Sequence, residues 1–171
     1  IRTRESSGLI VLLSSQHRLS FVAVSLEEGR ACLKFSDPPN SPLSLCLRDA
    51  LNDGAWHAVT ASRFGSNLEL SVDMGDGAGQ YGIIFAAKYS AEAGDSSPFL
   101  TEPQLLQVHR QEGVLVGGMP VFDANTPASV TSNLKNSCLD DLRLDGHALP
   151  LPPYYKFSVF QRRILCQHSA R

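Results

Sequence analysis

The sequence lacks the short motifs that mark the common enzyme classes. It has no Gly-x-Ser-x-Gly nucleophile motif, no His-Glu-x-x-His zinc helix and no Cys-x-x-Cys pair. Gly75, Gly77 and Gly79 follow a predicted strand but open no helix, so they do not form a dinucleotide-binding fingerprint. The facing carboxylates of a glycosidase are also missing from the predicted strands. We therefore predict a protein that is not an enzyme and holds no cofactor.

Long apolar runs and a strong charge of either sign are missing too. No uninterrupted apolar segment approaches the roughly 18 residues of a membrane span. The 171 residues carry a formal net charge of −2, which favours neither a nucleic acid nor an anionic membrane as a partner. This length predicts one domain, 1–171. Because no signal peptide opens the chain and Ile1-Arg2-Thr3-Arg4 resembles the middle of a strand, we expect a piece of a larger protein with a truncated first strand.

Short apolar segments separated by turn signals run along the chain, and no segment shows a sustained helical period. The alternating segments predict strands at 8–13, 19–26, 30–35, 43–47, 56–63, 68–73, 105–108 and 114–118. Many short strands at this spacing indicate an all-β sandwich. Residues 86–103 break the rhythm, since they are rich in Ala, Ser, Gly and Asp and contain two prolines. We expect a long loop or insertion there, which could include one helical turn.

Four cysteines allow three disulfide pairings. Cys32 and Cys46 flank a Pro-Pro-Asn segment, and a hairpin folded about that segment would bring them opposite each other, close to disulfide range. We favour Cys32–Cys46 together with Cys138–Cys166; the alternative for each pair is free buried thiols. Disulfides indicate an oxidising compartment and hence a secreted or cell-surface protein.

A short strand is predicted after Cys138. Leu142 and Leu144 alternate with polar residues, which is the pattern of a strand with one buried face. Asp145-Gly146 is a turn signal that ends this strand. A cysteine before such a strand and Cys166 near the end of the chain suggest a disulfide that ties the C-terminal tail to the body of the domain.

In this order, the segments resemble a laminin G-like domain, also called an LNS domain. The resemblance spans nearly the whole chain and rests on the order and spacing of five motifs, namely Arg2-Thr3-Arg4 with Gly8-Leu9-Ile10, Asn52-Asp53-Gly54-x-Trp56-His57-x-Val59, Leu68-x-Leu70-x-Val72-Asp73, Val116-Gly117-Gly118 and Cys138-Leu139-Asp140-Asp141-Leu142-Arg143-Leu144-Asp145-Gly146. It implies an all-β jelly-roll (concanavalin-like) sandwich of two antiparallel sheets, with a Cys138–Cys166 disulfide near its end. The last motif and the Pro-rich tail are most similar to laminin G domains of non-chordate classical cadherins, and less closely of Fat-like cadherins.

The resemblance also directs attention to a calcium site at the rim of the sandwich. Many members of the family bind Ca²⁺ there through an Asp and a second Asp or Asn. In this sequence the first position falls near His17 or Arg18 and the second near His109 or Arg110. Histidine and arginine do not supply the oxygen ligands that Ca²⁺ prefers. We predict that the site is degenerate and binds no metal; a transition-metal pair of His17 and His109 is the less favoured alternative.

The single tryptophan, Trp56, follows a tight turn and starts an alternating segment. A Trp in this position is more often a core anchor than a ligand platform, so we predict that Trp56 is buried in the core. Asn52-Asp53-Gly54 supplies residues that tolerate positive φ for the preceding turn.

Basic residues near the C-terminus form a candidate anion patch. Arg162 and Arg163 are adjacent, Lys156 is near in sequence, and Arg143 could be near in space. Such a group could bind sulfate, although a solvated face is the simpler interpretation. Nearby aspartates would weaken it further.

Two functions remain in competition. The favoured one is a non-catalytic extracellular module of a cell-adhesion receptor, a single-pass glycoprotein with EGF-like neighbours, acting in interdomain architecture and protein interaction near the membrane. Its partners would be neighbouring extracellular domains of the same chain, with a protein receptor or a glycan as further candidates. The alternative is a lectin-like domain that binds sulfated glycans or a receptor.

Overall fold

The strands form two antiparallel sheets and a small hairpin. The computed structural model describes residues 1–36, 43–64, 67–73, 87–89, 106–109, 113–124, 126–127 and 130–149. In these residues it has one 3-10 turn, Gln16–Arg18, no α-helix, and the strands β1 Gly8–Ser14, β2 Phe21–Glu27, β3 Arg30–Ser36, β4 Leu43–Ala50, β5 Val59–Phe64, β6 Asn67–Val72, β7 Ala87–Tyr89, β8 Val114–Val116, β9 Arg143–Leu144 and β10 His147–Ala148.

The larger sheet has five strands in the order β4-β3-β2-β1-β8, and the smaller has three in the order β5-β6-β7. Every strand pairing in both sheets is antiparallel. Strands β1 to β4 are sequential neighbours joined by short connections, which is the arrangement that local hairpin folding favours. The all-β prediction with two antiparallel sheets is confirmed.

The main core lies where the two sheets face each other. Alternate residues of the five-stranded sheet, including Val24, Leu26 and Leu33, belong to the same buried cluster as Leu70 and Val72 of the smaller sheet. Each of these side chains is at most 6% exposed. The period of two along a strand therefore sends one set of side chains inward from each layer, as in other β-sandwiches.

The five-stranded sheet is buried on its second face as well. Leu9, Leu12 and Ala23 form a separate cluster with Met119 and Val130, which come from the segment that follows β8. Burial on both faces explains why β1 consists of a continuous apolar run and does not alternate with polar residues. The segment after β8 is therefore packed on the sheet.

The predicted strands agree with the structure over most of the first 72 residues and at β8, with three corrections. Residues 87–89 form β7, so the predicted loop at 86–103 is wrong there, and the rest of that stretch lies outside the described residues. Residues 106–109 are not a strand. The strand predicted around Leu142 and Leu144 has no buried face, because Arg143 and Leu144 are both exposed.

The hairpin of β9 and β10 turns through Asp145 and Gly146, as the sequence predicts. Both residues have positive φ, 50° for Asp145 and 77° for Gly146. Leu144 pairs with His147, so the loop has two residues. Two-residue loops with positive φ at both positions match the twist of the strands, and Asp-Gly is a preferred sequence for them.

The Cys32–Cys46 disulfide is confirmed. Cys32 on β3 lies directly opposite Cys46 on β4, and their Cα atoms are 4.1 Å apart. Cys138 is also disulfide-bonded. Its predicted partner, Cys166, lies outside the described residues, so that pairing stays a prediction.

Candidate interaction surface

The loop between β1 and β2 has an unusual backbone. His17 and Arg18 are consecutive residues in the left-handed region, with φ of 59° and 55°. Non-glycine residues rarely adopt this conformation, and it persists only where the surroundings hold it. Here the two ends of the loop are joined, since Ser15 and Ser20 pair through their backbones at 2.9 Å and the Ser15 hydroxyl accepts the Ser20 N–H at 3.0 Å.

An ion pair ties this loop to the segment after β8. Arg18 Nη1 lies 3.3 Å from Asp123 Oδ1, and the Arg18 side chain is only 16% exposed. Asp123 is itself held in place, because its backbone N–H donates to the Thr126 hydroxyl at 2.8 Å. The pair brings together two segments that are more than 100 residues apart in sequence.

Three large apolar side chains are exposed beside this ion pair. Leu19, which follows Arg18, is 64% exposed, and Val121 and Phe122, which precede Asp123, are 62% and 46% exposed. We call Leu19, Val121 and Phe122 the apolar rim. All three are next to Arg18 or Asp123, or one residue further away, in sequence, and exposed large apolar groups beside charged residues are found at protein interaction sites.

The two predicted calcium positions lie at this end of the domain. The His109 N–H donates to the Ser14 carbonyl at 2.9 Å, which places its segment beside the strand end that leads to His17. Among the described residues, only Glu27, Cys32 and Cys46 form a set of three potential metal ligands, and both sulfurs are used in the disulfide. That His17 and His109 mark a degenerate calcium site stays a prediction.

The prediction that Trp56 is a core anchor is wrong. Trp56 is 38% exposed, and the Arg2 guanidinium carbon lies 5.3 Å from the centre of its ring, within cation–π distance. The reason is where β5 begins. The strand starts at Val59, and Val59 packs against the main core, whereas Trp56 precedes the strand and forms an isolated bridge with Arg2.

Trp56 belongs to a junction formed by three chain segments. Ile1 and His57 exchange two hydrogen bonds of 2.8 Å, and the Gly54 N–H donates to the Thr3 carbonyl at 2.9 Å. On its other side the N-terminal segment pairs with Cys138, through hydrogen bonds of 2.9 and 2.8 Å to Arg2. We call residues 1–3, 54–58 and 138 the N-terminal junction.

His57 is clamped between two carboxylates in this junction. Its Nδ1 lies 2.7 Å from Asp73 Oδ2, and its Nε2 lies 3.1 Å from Asp53 Oδ1. Each aspartate is fixed by a backbone N–H, since Asp73 accepts from Ala58 at 2.8 Å and Asp53 accepts from Ala55 at 2.7 Å. The cluster therefore ties the turn before β5 to the end of β6.

The electrostatics of the clamp favour a charged imidazole. Desolvation by burial lowers the pKa of His57, but the hydrogen bonds and charges of Asp73 and Asp53 outweigh this and raise it above its ordinary value of 6.5. The pKa of Asp53 is lowered, first by the Ala55 N–H and then by the His57 hydrogen bond. Sequence reasoning missed this cluster, although Asp53, His57 and Asp73 all lie in the quoted motifs.

The candidate anion patch is described only at Arg143. Its Nε donates to Asp141 Oδ1 at 2.8 Å, and this hydrogen bond raises the pKa of Arg143. Both side chains are largely exposed. The other three members, Arg162, Arg163 and Lys156, lie outside the described residues, so the patch stays a prediction.

Comparison with known proteins identifies the family. The model of the laminin G domain matches residues 1–150. The sequence is 34% identical over 155 residues to a Drosophila melanogaster protein named "Putative neural-cadherin 2" and 32% identical over 155 residues to Drosophila neural-cadherin, covering 89% of this chain in each case. The chain belongs to the laminin G domain family, and its resemblance to cadherin laminin G domains is confirmed.

The fold also agrees with solved structures of the family. Domains LG4-5 of the mouse laminin alpha1 chain superpose with a TM-score of 0.58 at 22% identity, covering 78% of this chain and 30% of that one. This likeness confirms the predicted jelly-roll fold. The chain spans only 8% and 5% of the two cadherin relatives, so it corresponds to a small part of each.

The described part of the chain contains no helix long and apolar enough to cross a membrane.

Proposed function

We propose that this laminin G domain is a non-catalytic, extracellular module of a single-pass cell-adhesion receptor that works by contact with neighbouring domains of the same polypeptide, close to the membrane. Three observations support the proposal. The disulfides are typical of an oxidising compartment. The relatives include neural-cadherins many times longer than this chain. The apolar rim leaves three large side chains exposed at one end of the sandwich.

The apolar rim is the observation that carries the proposal. A laminin G fold alone does not define a function, because function depends on the sites that a fold presents. Leu19, Val121 and Phe122 stand on segments that the Arg18–Asp123 pair holds together, so the surface is built in the free domain. Exposed apolar side chains on segments that an ion pair already holds in place suit a protein partner, since binding then costs little ordering entropy.

Small-angle X-ray scattering of this domain together with the domains that flank it in its host chain tests the proposal. We expect one fixed arrangement, with a radius of gyration smaller than that of independent beads on a flexible linker. Scattering that requires an ensemble of freely tumbling domains would contradict a role in interdomain architecture.

A matched pair of variants locates the contact. Replacing Leu19 and Phe122 with Ser removes exposed apolar surface from the rim and should make the multidomain piece more extended. Leu144→Ser changes a side chain that is also exposed, 36%, on the β9–β10 hairpin, a separate element that contains none of the rim residues. This control should leave the scattering unchanged. Equal effects of both changes would show that the contact does not lie at the rim.

The alternative, a lectin-like domain for sulfated glycans, rests on the candidate anion patch. The Arg143 guanidinium already donates to Asp141, which reduces its attraction for a sulfate group. Heparin-affinity chromatography at physiological salt separates the two functions. Retention that is lost in an Arg162→Ala, Arg163→Ala variant would favour the glycan function, and flow-through would favour the protein contact.

A further inference from the structure

We propose that His57 is a proton-operated latch, which holds the turn before β5, and with it the N-terminal segment, through Asp53 when its ring is doubly protonated and releases that turn when the ring loses a proton, while its bond to Asp73 at the end of β6 remains. This inference is independent of the proposed adhesion role. It rests on the geometry of the N-terminal junction.

The geometry requires a charged ring. A neutral imidazole has one N–H donor, and its other nitrogen carries a lone pair. Both ring nitrogens of His57 lie within hydrogen-bond distance of a carboxylate oxygen, and a carboxylate can only accept. A neutral His57 would therefore point a lone pair at Asp53 or at Asp73, whereas the imidazolium satisfies both.

The charges around the ring come from every segment packed against it. The turn contributes Asp53, which also feels the nearby Arg4, and the end of β6 contributes Asp73. The N-terminal segment contributes Arg2, whose guanidinium lies over the Trp56 ring. Two carboxylates in direct contact with the ring outweigh the more distant cations, so the surroundings favour the protonated state.

The two arms of the latch differ in strength. The contact with Asp73 is 2.7 Å and the Asp73 side chain is 17% exposed, whereas the contact with Asp53 is 3.1 Å and Asp53 is 59% exposed. Shorter, less exposed charged hydrogen bonds are the stronger ones. When the ring loses a proton, we expect it to keep its bond to Asp73 and to release Asp53.

Release of Asp53 affects the N-terminal segment through backbone hydrogen bonds of the turn. Asp53 holds the Ala55 N–H, and the adjacent Gly54 N–H holds the Thr3 carbonyl. His57 itself pairs with Ile1. Loosening of this turn removes the hydrogen bonds on one side of residues 1–3, while the bonds to Cys138 on the other side remain.

Nuclear magnetic resonance of the unmodified chain tests the latch. Long-range ¹H–¹⁵N spectra recorded through a pH titration should show both ring nitrogens of His57 protonated to a higher pH than in an ordinary histidine, whose pKa is about 6.5. Amide exchange of Gly54 and His57, corrected for intrinsic rates, should accelerate several-fold between about pH 6 and pH 9, while amides in the centre of β2 and β3 keep their protection. A pKa of His57 at or below the ordinary value, or exchange at the junction that is independent of pH, would overturn the proposal.

A pair of variants separates the latch from a general effect of charge. Asp53→Asn keeps an oxygen for the Ala55 N–H but removes the carboxylate, and it should lower the proton affinity of His57 by a factor of about three or more. Asp49→Asn removes an equal charge from an exposed residue of β4 and should leave His57 unchanged. Equal shifts in the two variants would contradict a specific contact, and no shift in Asp53→Asn would contradict the Asp53 arm.

Discussion

At the scale of single residues, predictions succeeded where the deciding contact is local in sequence and failed where it joins distant residues. Cys32 and Cys46 were predictable because a local hairpin brings them together. The exposure of Trp56 was not predictable. It depends on where β5 begins and on a cation–π contact with Arg2, which is 54 residues earlier in the sequence. The role of His57 was missed for the same reason, since Asp73 reaches it only through the pairing of β5 with β6.

The His57 clamp makes stability depend on pH in a defined direction. Because the pKa of His57 in the folded state lies above the ordinary 6.5, its contribution to the free energy of unfolding is complete below about pH 6.5 and is lost as the pH rises through the folded-state pKa. Urea unfolding from pH 6 to pH 9 should show this decline. A His57→Gln variant should show a flatter profile over that range, and a profile as steep as that of the unchanged chain would contradict the clamp.

Asp53 makes the free energy of unfolding depend on pH in the opposite direction, at acid pH. Its pKa is lowered below the ordinary 3.8, so its contribution is present above about pH 3.8 and is lost as the pH falls through the folded-state pKa. We expect the effect of Asp53→Asn on unfolding to shrink below that pH. An effect that stays constant down to about pH 2 would show that the Asp53 charge is not involved.

At the scale of elements, the alternation of apolar and polar residues predicted most strands. It did not predict which strands pair with each other or which faces are covered. Strands β2 to β6 follow local patterns that the sequence displays directly. The three residues of β7 carry no such pattern, and they form a strand because they pair with Leu68, Glu69 and Leu70 of β6. The strand at β9 has an alternating pattern, yet it lies exposed at a hairpin, since alternation shows that a strand has two faces and not that one of them is covered.

The disulfide between β3 and β4 should contribute measurably to stability. It joins residues separated by 14 positions, and closing a loop of that size in the unfolded chain corresponds to about 3 kcal/mol. Replacing Cys32 and Cys46 together with Ser should lower the free energy of unfolding in urea by about 2–4 kcal/mol. A loss well below about 1 kcal/mol would mean that the β3–β4 pairing is held without the bond.

Shortening a side chain in the main core should lower the free energy of unfolding far more than shortening one on the β9–β10 hairpin. Leu33 is 2% exposed in the main core, and Leu33→Ala should cost about 2–5 kcal/mol of unfolding free energy because it leaves a cavity between the sheets. Leu144→Ala, on the exposed β9, should change stability by no more than about 0.5 kcal/mol. Similar costs at both positions in urea unfolding would contradict the two-sheet core.

At the scale of the whole molecule, the order of motifs carried more information than any single one. Five weak motifs in sequence identified the laminin G family, because together they fix the spacing of strands in a jelly roll. The apolar rim was not predictable in this way, since the segments that carry Leu19 and Phe122 are linked by the Arg18–Asp123 pair, which is distant in sequence, and loop sequences vary within a fold. The proposed function therefore rests on side chains that separate loops contribute.

The account depends most on the claim that the apolar rim is a contact surface, and hydroxyl-radical footprinting tests it directly. The oxidation of Leu19 and Phe122 should be measured in this chain alone and in a longer piece that includes the neighbouring domains, with Leu144 as the exposed reference. We predict that oxidation at Leu19 and Phe122 falls several-fold in the longer piece while Leu144 is unchanged. Equal oxidation of Leu19 and Phe122 in both samples would contradict the account.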